Sequence, residues 1–144
     1  MKKYFAILFG ILLGSSCCQQ KATKNVDVKK QGQIDANLGV INSLRNAGDK
    51  LTASREVFHW IYFKNESDKN NYLKEVIKKG FVLVSSNTIK DKFPYQLQIK
   101  RIDKVDEDSV NKYVIYLWEK AVEYNGDYDG WETSIEKSTL RTSS

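Results

Sequence analysis

The stretch that most constrains the fold is residues 55–63, REVFHWIYF. It is dense in β-branched and aromatic residues, which favours a strand. With a period of two, Val57, His59, Ile61 and Phe63 fall on one side and Phe58, Trp60 and Tyr62 on the other. A strand apolar on both sides is central to a sheet. It is covered on both faces or lies under an added element.

The segments around it alternate between helical and strand periods. Residues 34–50 place Leu38, Ile41 and Leu44 at helical spacing, with Asp35 as N-cap and Gly48 as stop. After the strand, Tyr72, Leu73, Val76 and Ile77 form an apolar helical stripe that closes on Lys78, Lys79 and Gly80. FVLVSS (81–86) is a short strand, and NTIKDKFP (87–94) is a polar hairpin connection. YQLQIKRI (95–102) alternates cleanly, with Tyr95, Leu97 and Ile99 on one face, as in a half-solvated antiparallel strand. Val110, Val114, Leu117, Ala121 and Tyr124 mark a last helix, capped by Asp106 or Asp108 and stopped at Gly126. WETSIEK (131–137) reads as the last strand, and 138–144 as a frayed tail.

The order is therefore one helix followed by β-α-β-β-α-β. Two βαβ halves joined by a hairpin give an α+β, ferredoxin-like split sandwich with an extra N-terminal helix. The chain of 144 residues is long enough for one domain with a substantial core.

Residues 1–20, MKKYFAILFGILLGSSCCQQ, have a different character. Lys2 and Lys3 precede an apolar run from Tyr4 to Leu13, then small residues, then Cys17 and Cys18. The run is about half the ~20 residues needed to span a bilayer, which favours a secretory signal over a transmembrane helix. The stretch resembles a bacterial lipoprotein signal, in which a cysteine after the small residues becomes lipidated. That resemblance implies a chain lipid-anchored in the cell envelope through Cys17 or Cys18. Gly14 or Ser15 stands where such signals usually carry leucine, and an ordinary cleaved signal is the alternative. Residues 18–33, polar and rich in Lys and Gln, read as a flexible tether, and 34–137 as the folded domain.

Composition excludes several functions. The net charge of +5 includes Lys2 and Lys3; without them 21 basic side chains face 18 acidic ones, a balance of +3. That is too mild to argue for nucleic acid. Both cysteines lie at 17 and 18, so the domain has no thiol nucleophile, thiolate metal site or disulfide. No cofactor motif is present. His59 is the only histidine. Without a partner motif it reads as a packed strand residue rather than a catalytic base.

GDYDGWET (126–133) gathers Asp127, Asp129 and Glu132 around two glycines, Tyr128 and Trp131. Calcium spacing is absent, and a glycosidase-like carboxylate pair needs a cleft that so small a domain rarely encloses. The favoured reading is structural. Gly126 ends the helix, Asp127 and Asp129 accept turn N–H groups, Gly130 takes a positive φ, and Trp131 enters the core. A recognition surface is the main rival, and an enzyme or metal site on Asp127, Asp129 and Glu132 is the alternative. Tyr62, Tyr95, Tyr116, Trp118 and Tyr128 exceed what two helix–sheet layers need. The added helix covers them, or they form a protein-binding face.

Three pieces together resemble the regulator of ribonuclease activity B family: AGDKLTASREVFHWIYF with Trp60 at its strand, the Gly80–Phe81 step, and GDYDGWET with Asp127, Tyr128, Asp129, Gly130, Trp131 and Glu132. The resemblance covers residues 36–137. It implies a ferredoxin-like fold and a non-catalytic, protein-binding function, the family's partner being the endoribonuclease E that it inhibits. Export and a basic balance set this chain apart from acidic cytosolic members of the family. The partner expected from the sequence is an unidentified protein.

Overall fold

In the computed structural model the backbone is described over residues 16–137 and side chains from Asn25 onward. The signal-like segment, the side chains of Cys17 and Cys18, and the tail at 138–144 lie outside the described residues. The elements run α1 (Ser16–Asn46), β1 (Arg55–Phe63), α2 (Glu66–Ile77), β2 (Val82–Thr88), β3 (Tyr95–Asp103), α3 (Glu107–Glu123) and β4 (Gly126–Thr133). One sheet has the order β2-β3-β1-β4. Every neighbouring pair is antiparallel. The α+β split sandwich expected from the sequence is the observed fold.

The inner face of the sheet carries Val57, His59, Ile61 and Phe63 of β1, Leu97 and Ile99 of β3, and Tyr128 and Trp131 of β4, all buried. Against it lie Ile41 and Leu44 of α1, Tyr72 and Val76 of α2, and Val110, Val114, Leu117 and Ala121 of α3. Buried residues of all three helices thus share one core with the period-2 inner face of the sheet, which is what fixes the register of the central strand.

Helix ends follow local chemistry. The side chain of Asn65 accepts the N–H of Asp68 at the start of α2, and that of Asp106 accepts the N–H of Ser109 at α3. At the end of α2, Phe81 N–H donates to Val76 and Gly80 N–H to Ile77, with Gly80 at φ 85°. This is a Schellman stop that aims the chain into β2.

Six expectations are corrected. The first helix starts at Ser16 rather than near Ile34, so residues 18–33 are helical and not a flexible tether. The reason is visible in composition: up to Gly32 the segment holds no glycine or proline, so polarity alone does not stop a helix. Lys30 also reaches Glu119 of α3 at 2.8 Å. Asp35 sits inside the helix, accepting from Gln31 at 2.9 Å, and is not an N-cap. The inward residue beside Ile41 and Leu44 is Asn37, while Leu38 is exposed.

The last strand is GDYDGWET itself, not WETSIEK, because its pairing with β1 begins at Gly126. The left-handed residue that ends α3 is Asn125 (φ 54°), not Gly126. Gly126 has another cause: a Cβ there would sit 2.5 Å from the Phe63 ring.

Finally, among the described residues no helix covers the outer face of β1. Phe58, Trp60 and Tyr62 are half-buried by strand neighbours alone.

Candidate functional site

The outer face of β1 presents Phe58, Trp60 and Tyr62 as a column, neighbouring side chains being about 6.6 Å apart along the strand. On one flank their cross-strand partners are Lys100, Gln98 and Gln96 of β3. On the other they are Glu132, Gly130 and Asp127 of β4. Gln96 donates to the Tyr62 hydroxyl at 2.9 Å. The Lys100 ammonium lies 5.5 Å from the Phe58 ring centre and pairs with Glu56. Trp60 faces Gly130, which adds no side chain, so the largest ring of the column has open space on its β4 side.

The register of β4 shifts at a bulge opposite Trp60 and Ile61, and Gly130 takes φ 152° there. The bulge changes which residues face out. Asp127 and Glu132 lie beside the aromatic column, Asp129 is the extra residue, and all three carboxylates are exposed. No hydrogen bond engages their side chains among the described residues. The expectation that Asp127 and Asp129 accept turn N–H groups is therefore corrected, since the segment is paired strand and needs no such bonds. Among the described residues no group of three or more His, Cys, Asp or Glu side chains is placed to hold a metal ion. The acids are free to accept donors from outside the molecule.

Tyr128 and Trp131 point inward. The Trp131 indole donates to Asn37 Oδ1 at 3.1 Å, in the buried seam between β4 and α1. The Tyr128 hydroxyl bonds His59 Nδ1 at 2.8 Å. His59 is fully buried, packed edge-on against Phe81 and Tyr113, and its Nε2 has no partner. Desolvation, helped by the nearby Arg101 charge, lowers its pKa from 6.5 to about 3. A neutral, enclosed imidazole has no route to a substrate proton, so its role is packing. Of the remaining aromatics, Tyr95, Tyr116 and Trp118 pack partly against the core.

Two predictions arise here. Asp129→Ala should change stability by no more than about 0.5 kcal/mol. Gly130→Ala should lower it by roughly 1 kcal/mol, because alanine has space but not the backbone angle. Thermal melts of the two variants check both, and equal losses would contradict the placement of Asp129.

His59 supplies the second prediction. Below pH 6.5 the unfolded chain takes up a proton that the folded imidazole refuses down to about pH 3. Stability should therefore fall by up to about 1.4 kcal/mol per pH unit as pH drops from 6 to 5. Urea midpoints across that range should be flatter in His59→Phe.

The structure brings Trp60, Asp127, Gly130 and Glu132 to one outer face and sends Tyr128 and Trp131 to the core. Sequence reasoning set Phe58 on the same side of the strand as Trp60 and Tyr62 but did not count it among the candidate interaction residues. The missed signal was the β3 partner set: Gln96, Gln98 and Lys100 alternate as a solvated face, and β1 residues paired with them share it.

The fold is thus a ferredoxin-like sandwich with helices on one face of the sheet and a half-exposed aromatic column on the other. A family model described as regulator of ribonuclease activity B matches residues 34–133, and the chain belongs to that family. A search of curated proteins gave no match. The matched span takes in β1 to β4 and the part of α1 that packs on the core, so the domain is regulatory and protein-binding in character.

Proposed function

We propose that this chain is a non-catalytic regulatory domain displayed at the bacterial cell envelope by lipid on Cys17 or Cys18. It binds a partner protein through the outer β1–β4 face. The observation that carries the reading is the half-exposed column Phe58, Trp60 and Tyr62, which no helix covers among the described residues. Aromatic residues with a polar rim are the composition of protein-binding surfaces. The rim here is amide and acid: Gln96 and Gln98 on one side, Asp127 and Glu132 on the other.

An aromatic sheet face also suits stacked nucleotides, but charge argues against them here. Lys100 is engaged by Glu56, and the β4 flank is acidic, so a phosphate backbone would meet repulsion. The alternative of an enzyme or metal site on Asp127, Asp129 and Glu132 has no cleft that the three share: all are exposed on an edge strand, and Asp127 alone of them borders an open groove, with Lys29 and Trp118. An exported domain and a cytosolic endoribonuclease E occupy different compartments, so the proposed partner is an envelope protein.

The anchor is tested by palmitate labelling of the full chain in a bacterial host. Label should be lost on Cys17→Ala or on Cys18→Ala. Absence of label from the parent, or its survival in the double variant, would sink the anchor.

A further inference from the structure

The two edges of the sheet are unlike. The β4 edge is blunted by its bulge and by Asp127, Asp129 and Glu132. The β2 edge, VLVSSNT, has a bulge between Leu83 and Ser85 but no charge and no proline. Val82, Leu83 and Val84 are 50%, 47% and 41% exposed. β2 pairs only with β3, so the N–H and C=O groups along its other side meet no strand among the described residues.

The surroundings of that edge are basic. Residues 74–104 carry eight Lys and Arg against three acids, a net of +5. Residues 105–137 carry three against nine, a net of −6. Lys78 and Lys79 stand just before β2, and Lys90 and Lys92 just after it. Lys78 is occupied by Glu75. Lys79, Lys90 and Lys92 have no ion-pair partner among the described residues.

We infer that the β2 edge takes up an extended, acid-flanked segment of a partner protein as a fifth strand. Main-chain hydrogen bonds along roughly 23 Å of edge supply attachment. The lysines at both ends select acids at both ends of the segment. A second copy pairing β2 with β2 is disfavoured by the same lysines, because antiparallel pairing would set Lys79 against Lys90 and Lys92 of the other molecule. The inference rests on the protein-binding reading above but uses a different surface.

The test uses the full chain and a synthetic decapeptide of alternating valine and threonine with two glutamates at each end. Amide hydrogen exchange should slow about tenfold or more at residues 82–88 and stay unchanged at 126–133. Lys79→Glu/Lys90→Glu/Lys92→Glu should weaken binding about tenfold or more, while Asp127→Lys/Asp129→Lys should not. A lysine-ended peptide, and one N-methylated at alternate residues, should both fail to bind. The inference is overturned by no binding, by equal binding of the N-methylated peptide, by protection at β4, or by concentration-dependent self-association that protects β2 without peptide. Each of these leaves the outer β1–β4 face untested and intact, so the two readings fail separately.

Discussion

Arg55→Ala should lower the unfolding free energy by about 3–5 kcal/mol, the cost of stranding one member of a buried ion pair. Arg55 opens β1 and Asp49 follows the Gly48 stop of α1. Both side chains are almost wholly enclosed. The guanidinium grips Asp49 with both terminal nitrogens and also donates to Ser134 C=O at 2.9 Å. Asp49 further accepts the N–H of Leu51 at 2.7 Å and of Glu136 at 2.8 Å. One carboxylate thus joins the end of α1, the start of β1 and the chain beyond β4. It also holds Leu51 at φ 59°, a conformation that a branched side chain resists.

The Arg55 hydrogen bonds hold the Asp49 carboxyl far below its usual range, and its backbone N–H partners add to this while burial opposes it. Its stabilisation is therefore complete above the ordinary value of 3.8 and is lost as pH falls below it. Asp49→Asn should remove that acid limb while leaving the His59 limb between pH 6 and 5 in place. A urea series on Arg55→Ala checks the magnitude. A loss under about 1 kcal/mol, the worth of a surface pair, would contradict the clip.

Trp131→Ala should cost about 3–5 kcal/mol as well, by a different route. The indole is buried on the inner side of β4, opposite His59. Its N–H meets Asn37, which is fully buried and donates in turn to Asn111 of α3 at 3.0 Å. Removing the ring opens a cavity and unties β4 from α1 and α3 together. Trp131→Phe keeps most of the apolar area and loses the hydrogen bond, so a smaller loss of about 1–3 kcal/mol is expected. Calorimetry gives the totals, and amide exchange locates them. Exchange should speed up in residues 34–46 of α1 more than in α2. Uniform acceleration would show that Trp131 supports the core without fastening α1.

The alternation of periods made the sandwich legible. Val57, Ile61, Leu97 and Ile99 alternate on strands, while Val110, Val114, Leu117 and Ala121 recur at helical spacing, and those periods survive folding intact. GDYDGWET was legible as a landmark but not as a strand. Glycine and aspartate are poor strand formers, and pairing with β1 overrides that preference. Its bulge then decided which acids face outward, which no local pattern records. The two-sided apolar character of β1 suggested double cover. Half-burial among Gln96, Gln98 and Lys100 is what Phe58, Trp60 and Tyr62 receive instead. The helical state of residues 18–33 was hidden because a run of polar residues gives no amphipathic signal. The Asp49–Arg55 clip was hidden because its two charges, six residues apart, follow neither period, and its further partners at Ser134 and Glu136 are brought in only by the fold.

The central claim is that the outer β1–β4 face meets a partner protein at the envelope. It is tested by placing a photo-crosslinking residue singly at Phe58, Trp60 or Ile77 of the full chain in a bacterial host. The first two positions sit on the aromatic column, while Ile77 is exposed on α2, away from it. Discrete adducts of one size from positions 58 and 60 in the membrane fraction, and none from 77, are the expected result. Adducts from 77 alone, or none from 58 and 60, would contradict the claim.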